Sequence, residues 1–284
     1  MIDAILDPWR DPVTLRAIVE VSLIGVAGGV LGCWIVFYGL AYGAESLSHG
    51  LFPGLVLAAL LGLPLLLGAA GGLLVAALAV ALAARVPVLD RDTPVAIVVT
   101  SLFGLGVLLA LGAKTPPGLQ GLLFGDVLGL TDADVMIAAV LVAALLAALA
   151  VLHPRLLAVA FDRASARNLG VAPFAADTAV LVALAIALLV AVQGLGNLLV
   201  VALLVGPAAT ARLLARRMAP MMGLGAGIGA ACGIAGLYAS YHFDTAAGAS
   251  IAAAMVLAYA GVAVATTLTG PRGSDGLPRR APLG

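Results

Sequence analysis

The sequence predicts an all-α, polytopic membrane protein of about nine spanning helices, and two observations carry that prediction. Of 284 residues, 63% are hydrophobic and 10% charged, with a mean hydropathy of +1.20. That is too little charge to cover a water-exposed surface. Apolar runs approaching the roughly 20 residues that cross a hydrocarbon core recur along the whole chain. They lack the period-two alternation of a membrane barrel, so the backbone has to be satisfied within helices. A single removable signal peptide does not account for runs that recur to the end, and the opening residues MIDAILDPWRDP are acidic rather than basic.

Taken in order, the runs bounded by charges and turn residues are 18–40, 44–62, 65–84, 95–112, 134–152, 175–193, 197–214, 220–239 and 247–268. Residues 1–17 are expected to form an extracytoplasmic N-terminal segment, 18–268 the transmembrane domain, and 269–284 a disordered cytoplasmic tail. Lys and Arg stay on the cytoplasmic side of a membrane. Placing the connections near 85–94, 153–174 and 212–219 on one side with the C-terminal tail gathers 11 of the 14 basic residues there, leaving Arg10, Arg16 and Lys114 opposite. The N-terminus is therefore expected outside and the C-terminus inside. Asp3, Asp7, Asp11, Asp126, Asp132, Asp134 and Asp244 all fall on the outer side. They read either as an acidic mouth that draws cations or as acids that collect where they cost little.

Glycines at four-residue spacing, Gly25/Gly29, Gly28/Gly32, Gly68/Gly72 and Gly225/Gly229/Gly233, predict close helix contacts, because lipid gives apolar helices no hydrophobic drive to associate. The run GLGAGIG at 223–229 lies inside an apolar helix rather than after a strand, and Lys114 lacks the glycine directly before it that a phosphate loop requires. The chain thus has no nucleotide site of its own. Zero net charge with no basic tract argues against a nucleic-acid partner. Cys33 and Cys232 lie far apart in apolar runs and read as small buried residues.

Against this background the stretch AYGAESLSHGLFPG, 41–54, stands out. On a helix Glu45 and His49 are one turn apart on the same face. Pro53, which has no N–H, cannot donate to the His49 carbonyl, so a kink and a free oxygen are expected at the level of the Ser46 and Ser48 hydroxyls. An ionisable pair inside a span is a functional-site hypothesis by default, and carboxylate with imidazole suits zinc, manganese or iron(II). The plainer reading is a helix cap at the membrane interface. Gln193 and Asn197 flank the link between the sixth and seventh spans and Pro207 interrupts the seventh: a pathway lining, or an outer loop with a tolerated kink. His242 and Asp244, before the last span, read as an outer cation mouth or a solvated turn. The inward connection 151–174, with three arginines and a helical pattern ending at Gly170, has the shape to enter a groove on a soluble partner or to rest on the membrane surface.

Several of these segments together resemble a known family. Glu45-Ser46-Leu47-Ser48-His49-Gly50-Leu51-Phe52-Pro53-Gly54 is similar to the Asp-Ala-Leu-Ser-His-Ala-x-Leu-Pro-Gly signature of the permease subunits of ATP-binding-cassette importers for zinc, manganese and iron. The stretch 122–135, LLFGDVLGLTDADV, resembles the family's outer Leu-Phe-Gly motif, and 161–170, FDRASARNLG, its cytoplasmic coupling segment. Residues 193–217 and 236–251 resemble its two late motifs. The resemblance implies a type II importer permease in the plasma membrane of a bacterium. The permease would not be an enzyme and would hold no permanent cofactor. It would pass a divalent metal ion while ATP is used by separate ATPase subunits, with an extracytoplasmic metal-binding protein delivering the ion and a second permease copy completing a homodimer. By analogy Glu45 and His49 contact the metal, Ser48, Gln193 and Asn197 line the path, His242 and Asp244 receive the ion outside, and Phe161, Asp162, Ala166 and Gly170 lie in the segment that meets the ATPase. Glu45 stands for the family's aspartate, Ser46 for an alanine, and Gly39-Leu40 for a basic pair. Two other classes compete. A gradient-driven secondary transporter or channel would need no ATPase and has broken helices in inverted halves. A membrane metalloenzyme would need a set such as His-Glu-x-x-His, which His49, His153 and His242 do not form.

Overall fold

The structure is a computed structural model and describes residues 9–83, 92–112, 127, 129–196 and 200–269. Among the described residues ten α-helices follow one another: α1 Pro12–Phe37, α2 Ala41–Leu61, α3 Leu65–Ala83, α4 Asp92–Ala110, α5 Asp132–Phe161, α6 Arg163–Asn168, α7 Pro173–Leu195, α8 Val200–Leu214, α9 Met218–Phe243 and α10 Ala247–Thr269. No strand occurs among the described residues. Six of these helices are long and apolar enough to cross a membrane outright, and shorter apolar segments in α3, α4 and α8 bring the total to the nine expected.

Two boundaries differ from expectation by more than four residues, both for local reasons. The first helix starts at Pro12 rather than at 18, because the Asp11 carboxylate accepts from the Val13 and Thr14 amides and Pro12 occupies the first turn, where its missing N–H costs nothing. The fifth span does not stop at 152 but runs through Pro154 to Phe161. Its start is fixed by a capping box, in which the Asp134 amide donates to the Thr131 hydroxyl and the Thr131 amide to the Asp134 carboxylate.

The helices form a main bundle around α1, which packs against α9, α8, α5 and α7, and a smaller trio of α2, α3 and α4 at its side. The main bundle is held at backbone contact. A methyl group on Gly25 would lie 2.6 Å from the Gly229 carbonyl oxygen, and Gly29 faces Gly225 more closely still. Gly28 meets the Leu203 carbonyl in the same way. The predicted glycine pairs are therefore the seams of the bundle, and Gly68/Gly72 make the matching seam in the trio against Gly54. The trio also has an aromatic core of its own, Phe52 and Val56 packed by Phe103 and Val107.

Contacts among the described residues gather at two ends of the helices. At one end Arg16 donates to the Leu130 carbonyl and pairs with Asp132 at 3.0 Å, while Trp9 stacks near Tyr238. At the other, the Tyr38 hydroxyl donates to the Leu156 carbonyl at 3.0 Å, Phe37 meets Phe161, and the Arg212 guanidinium lies 5.1 Å from the centre of the Phe37 ring. The start of α1, the turn before α5 and the end of α9 thus share the first end, and the end of α1, the end of α5 and the end of α8 the second.

Candidate functional site

Glu45 and His49 occupy the first turns of α2, at the end of the molecule shared with α6. Their spacing brings His49 Nε2 to 4.0 Å from Glu45 Oε1. An ion held at about 2.1 Å from each atom fits between them. Both side chains keep access, with 56% of Glu45 and 22% of His49 exposed, so the pair faces out of the subunit rather than into its core. Helix α4 backs it: the Phe103 ring meets the His49 ring edge to face at 4.9 Å and packs on Phe52 at 5.6 Å. His49 Nδ1 is buried on this side and has no hydrogen-bond partner. The orientation of the imidazole therefore rests on ring packing rather than on the carboxylate or carbonyl that usually holds a metal-binding histidine.

The two serines of the motif behave differently from its acid and imidazole. Ser46 and Ser48 are buried, and the Ser48 hydroxyl donates to the Glu45 carbonyl at 2.9 Å, bracing the turn that carries the acid. Helix α2 remains one helix across Pro53, which leaves the His49 carbonyl without its usual intrahelical donor. Among the described residues no three His, Cys, Asp or Glu side chains gather where they could hold a metal ion. Glu45 and His49 are thus a two-ligand fragment, short of the four to six ligands that divalent transition metals take.

The other positions singled out in the sequence lie elsewhere. His242 sits in the last turn of α9, its ring tilted at 6.2 Å from Tyr238 and edge to face with Tyr241 at 5.3 Å, and Asp244 ends that helix in the left-handed region at φ 50°. Asp244, Asp11, Thr14, Ser240 and Thr245 line a cavity of about 670 Å³ at the opposite end from Glu45. The Gln193 side chain and Asn197 fall outside the described residues, as do 122–126 and 128 of the outer motif.

The segment 161–170 is the short helix α6. Asp162 caps it, accepting from the Ala164 amide at 2.9 Å and from the Ser165 hydroxyl, and these bonds, that to Ser165 foremost, hold its carboxyl below the usual carboxylate range. Ala166 is fully buried, Gly170 turns the chain at φ 75°, and Arg163 ties the helix to α7 through a two-pronged pair with Asp177 at 2.8 and 2.9 Å. Phe161, Leu169 and Phe174 project around α6, each more than two-thirds exposed.

Residues 10–266 match the model of the ABC 3 transport family. The chain belongs to that family. Among the relatives of this ABC 3 chain is the manganese import system permease protein ScaB of Streptococcus gordonii, 30% identical over 236 residues that cover 83% of this chain and 85% of that protein. A probable iron transport system membrane protein of Haemophilus influenzae is 30% identical over 251 residues, covering 88% and 93%. Among solved structures, PsaBC from Streptococcus pneumoniae in complex with Fab superposes with a TM-score of 0.85 at 30% identity, covering 92% of this chain and 95% of that one. The fold is that of a multi-pass membrane component of an ABC transporter.

Two residues of interest were not foreseen. Glu20 lies in α1, only 2% exposed, and its Oε2 has no hydrogen-bond partner. Gly194 of α7 leaves the room it occupies, since a methyl group there would sit 2.9 Å from Glu20 Oε1. The signal was present in the sequence: a lone acid inside an otherwise apolar span. Phe103 gave no such signal, because its partnership with His49 exists only once α2 and α4 are packed.

Proposed function

We propose that this ABC 3 family chain is the permease of an importer that carries a divalent transition metal ion, manganese or iron with zinc a further candidate, across the plasma membrane of a bacterium into the cytoplasm. The observation that carries the proposal is the Glu45–His49 pair, two metal-ligating groups 4.0 Å apart on an accessible face of α2, in a chain whose relatives bear the names of manganese and iron transport proteins. Because the described residues of one chain bring only two ligands together, a second copy brings an equal pair, and the ion is held where the two faces of α2 meet. On the same reading Ser48 braces the site, Gln193 and Asn197 belong to the path, and His242 and Asp244 receive the ion at the outer mouth from an extracytoplasmic metal-binding protein. Residues 1–17 lie outside, 18–268 form the permease domain and 269–284 the inner tail.

The energy comes from a cytoplasmic ATPase subunit seated on α6. The exposed Phe161 and the Asp162 cap offer a contact surface, while buried Ala166 and the turn at Gly170 anchor the helix to the bundle. Closure of the ATPase dimer would push α6, and through the Phe37–Phe161 contact the inner ends of α1 and α5, switching access to the Glu45/His49 site between the two faces of the membrane. Vesicles reconstituted with the chain and its ATPase and binding protein test this by uptake of manganese, iron and zinc with and without ATP. ATP-dependent uptake of one of them is expected. Uptake driven by an ion gradient without ATP would replace the reading by that of a secondary transporter.

A further inference from the structure

Beside α6 lies a groove of about 410 Å³ that shares with the transport reading only the turn at Leu169 and Gly170. Its walls are the last third of α5 and the first turns of α7, with Leu152, Leu156, Ala176 and Ala179 supplying an apolar floor and the turn Leu169–Ala172 closing one end. A single charged residue lines it, Arg155. No ion pair or hydrogen bond joins Arg155 to another described residue, whereas its neighbour Arg163 is neutralised by Asp177. Ala172, Ala175 and Ala176 of its lining stand at the start of α7, which has no side-chain cap and no acid in its first turn, so the positive end of that helix dipole borders the groove.

We infer that this groove is a binding site for an anionic phospholipid, its phosphate held by Arg155 and one acyl chain laid along Leu152, Leu156, Ala176 and Ala179. The pattern of the groove decides the occupant. One end carries positive charge and hydrogen-bond donors, and the rest is apolar wall within two membrane-spanning helices, which is the polarity of a lipid at the edge of a bilayer. A soluble anion would leave the apolar length wet. A soluble protein would reach the exposed rings of Phe161 and Phe174 but not the floor between the spans. A lipid seated here would touch the turn at Gly170 that carries α6, and so would stiffen the element through which the bundle meets its surroundings. The inference depends on the chain spanning a membrane and not on which ion it carries.

The test is lipid binding by the full chain, purified in detergent, stripped of lipid and titrated with phosphatidylglycerol or phosphatidylcholine under native mass spectrometry. The parent should retain phosphatidylglycerol in preference. Arg155→Gln should weaken that preference about fivefold to tenfold, Arg155→Lys should keep most of it, and Arg216→Gln, away from the groove, should not change it. Ala179→Phe fills the apolar end and should lower retention of both lipids. Comparing variants at equal melting temperature separates lost binding from lost folding. Unchanged preference in Arg155→Gln, or unchanged retention in Ala179→Phe, would overturn the proposal. Displacement of phosphatidylglycerol by millimolar inorganic phosphate would overturn it in favour of a soluble anion, and displacement by the partner ATPase would make the groove part of a protein contact instead.

Discussion

The bundle around α1 and the trio α2–α4 are both built from glycine-rich apolar helices, yet they use their glycines for different ends. In the main bundle Gly25 and Gly29 bring α1 onto α9 so closely that carbonyls fill the place of a side chain, and the large apolar residues around them are fully buried. In the trio the Gly54/Gly68/Gly72 seam holds α2 to α3, and beside it the Glu45/His49 face stays open. The first arrangement is complete within one chain. The second is unfinished in its ligand count among the described residues, and a site that needs more ligands than these is expected on the unfinished side.

This contrast can be broken most severely at the seam. Gly29→Val places methyl groups where Gly225 backbone stands, and α1 and α9 have to separate. We expect no folded protein, seen as loss of the monodisperse peak in detergent, whereas Gly71→Val, with open space around it, should behave as the parent. At the site, Phe103→Ala removes the ring that meets His49 edge to face. Supporting residues of metal ligands are worth about 10–100-fold in affinity. We therefore expect the metal concentration for half-maximal uptake to rise by at least the lower figure while the folded yield is kept, with Phe103→Tyr retaining most of the function.

Two smaller effects sharpen the comparison. Glu20 is a polar intruder in the complete half: a carboxyl with one unpartnered oxygen costs about 1–3 kcal/mol. Glu20→Met should raise the melting temperature by a few degrees, and a fall would mean that the carboxyl has a partner worth more than its burial. Smallest is the cap of α6. Asp162→Ala should loosen the first turn of α6 without unfolding the chain, seen as faster amide exchange at Ala164 and Ser165. Because the folded Asp162 carboxyl is held below its ordinary range, its contribution is present at neutral pH and is lost only as pH falls through that lowered value.

Much of this division was legible in the sequence, and the reasons differ by element. The glycine pairs, the nine spans and the 161–170 helix are local patterns, visible as period, spacing and caps. The extension of α5 through Pro154 was hidden because the polar residues after Leu152 mimic a loop, while in space Trp34 stacks on His153 at 5.3 Å and Tyr38 bonds to Leu156. The early start of α1 was hidden because Arg10, Asp11 and Arg16 read as a solvated segment, although Asp11 caps the helix and Arg16 is bonded to the turn before α5. At the site, spacing alone placed Glu45 beside His49. The split between accessible ligands and buried serines, and the backing by Phe103, depend on which face α4 covers, which is a tertiary fact.

The most direct measurement is ATP-driven manganese uptake by reconstituted vesicles carrying Glu45→Gln or His49→Ala beside the parent, with folded yield matched. The account predicts that each variant alone falls below about a tenth of the parent rate, since removing one ligand from each copy leaves the ion at most half its shell. Uptake that survives both substitutions would contradict the account and return Glu45 and His49 to the role of a helix terminus at the membrane surface.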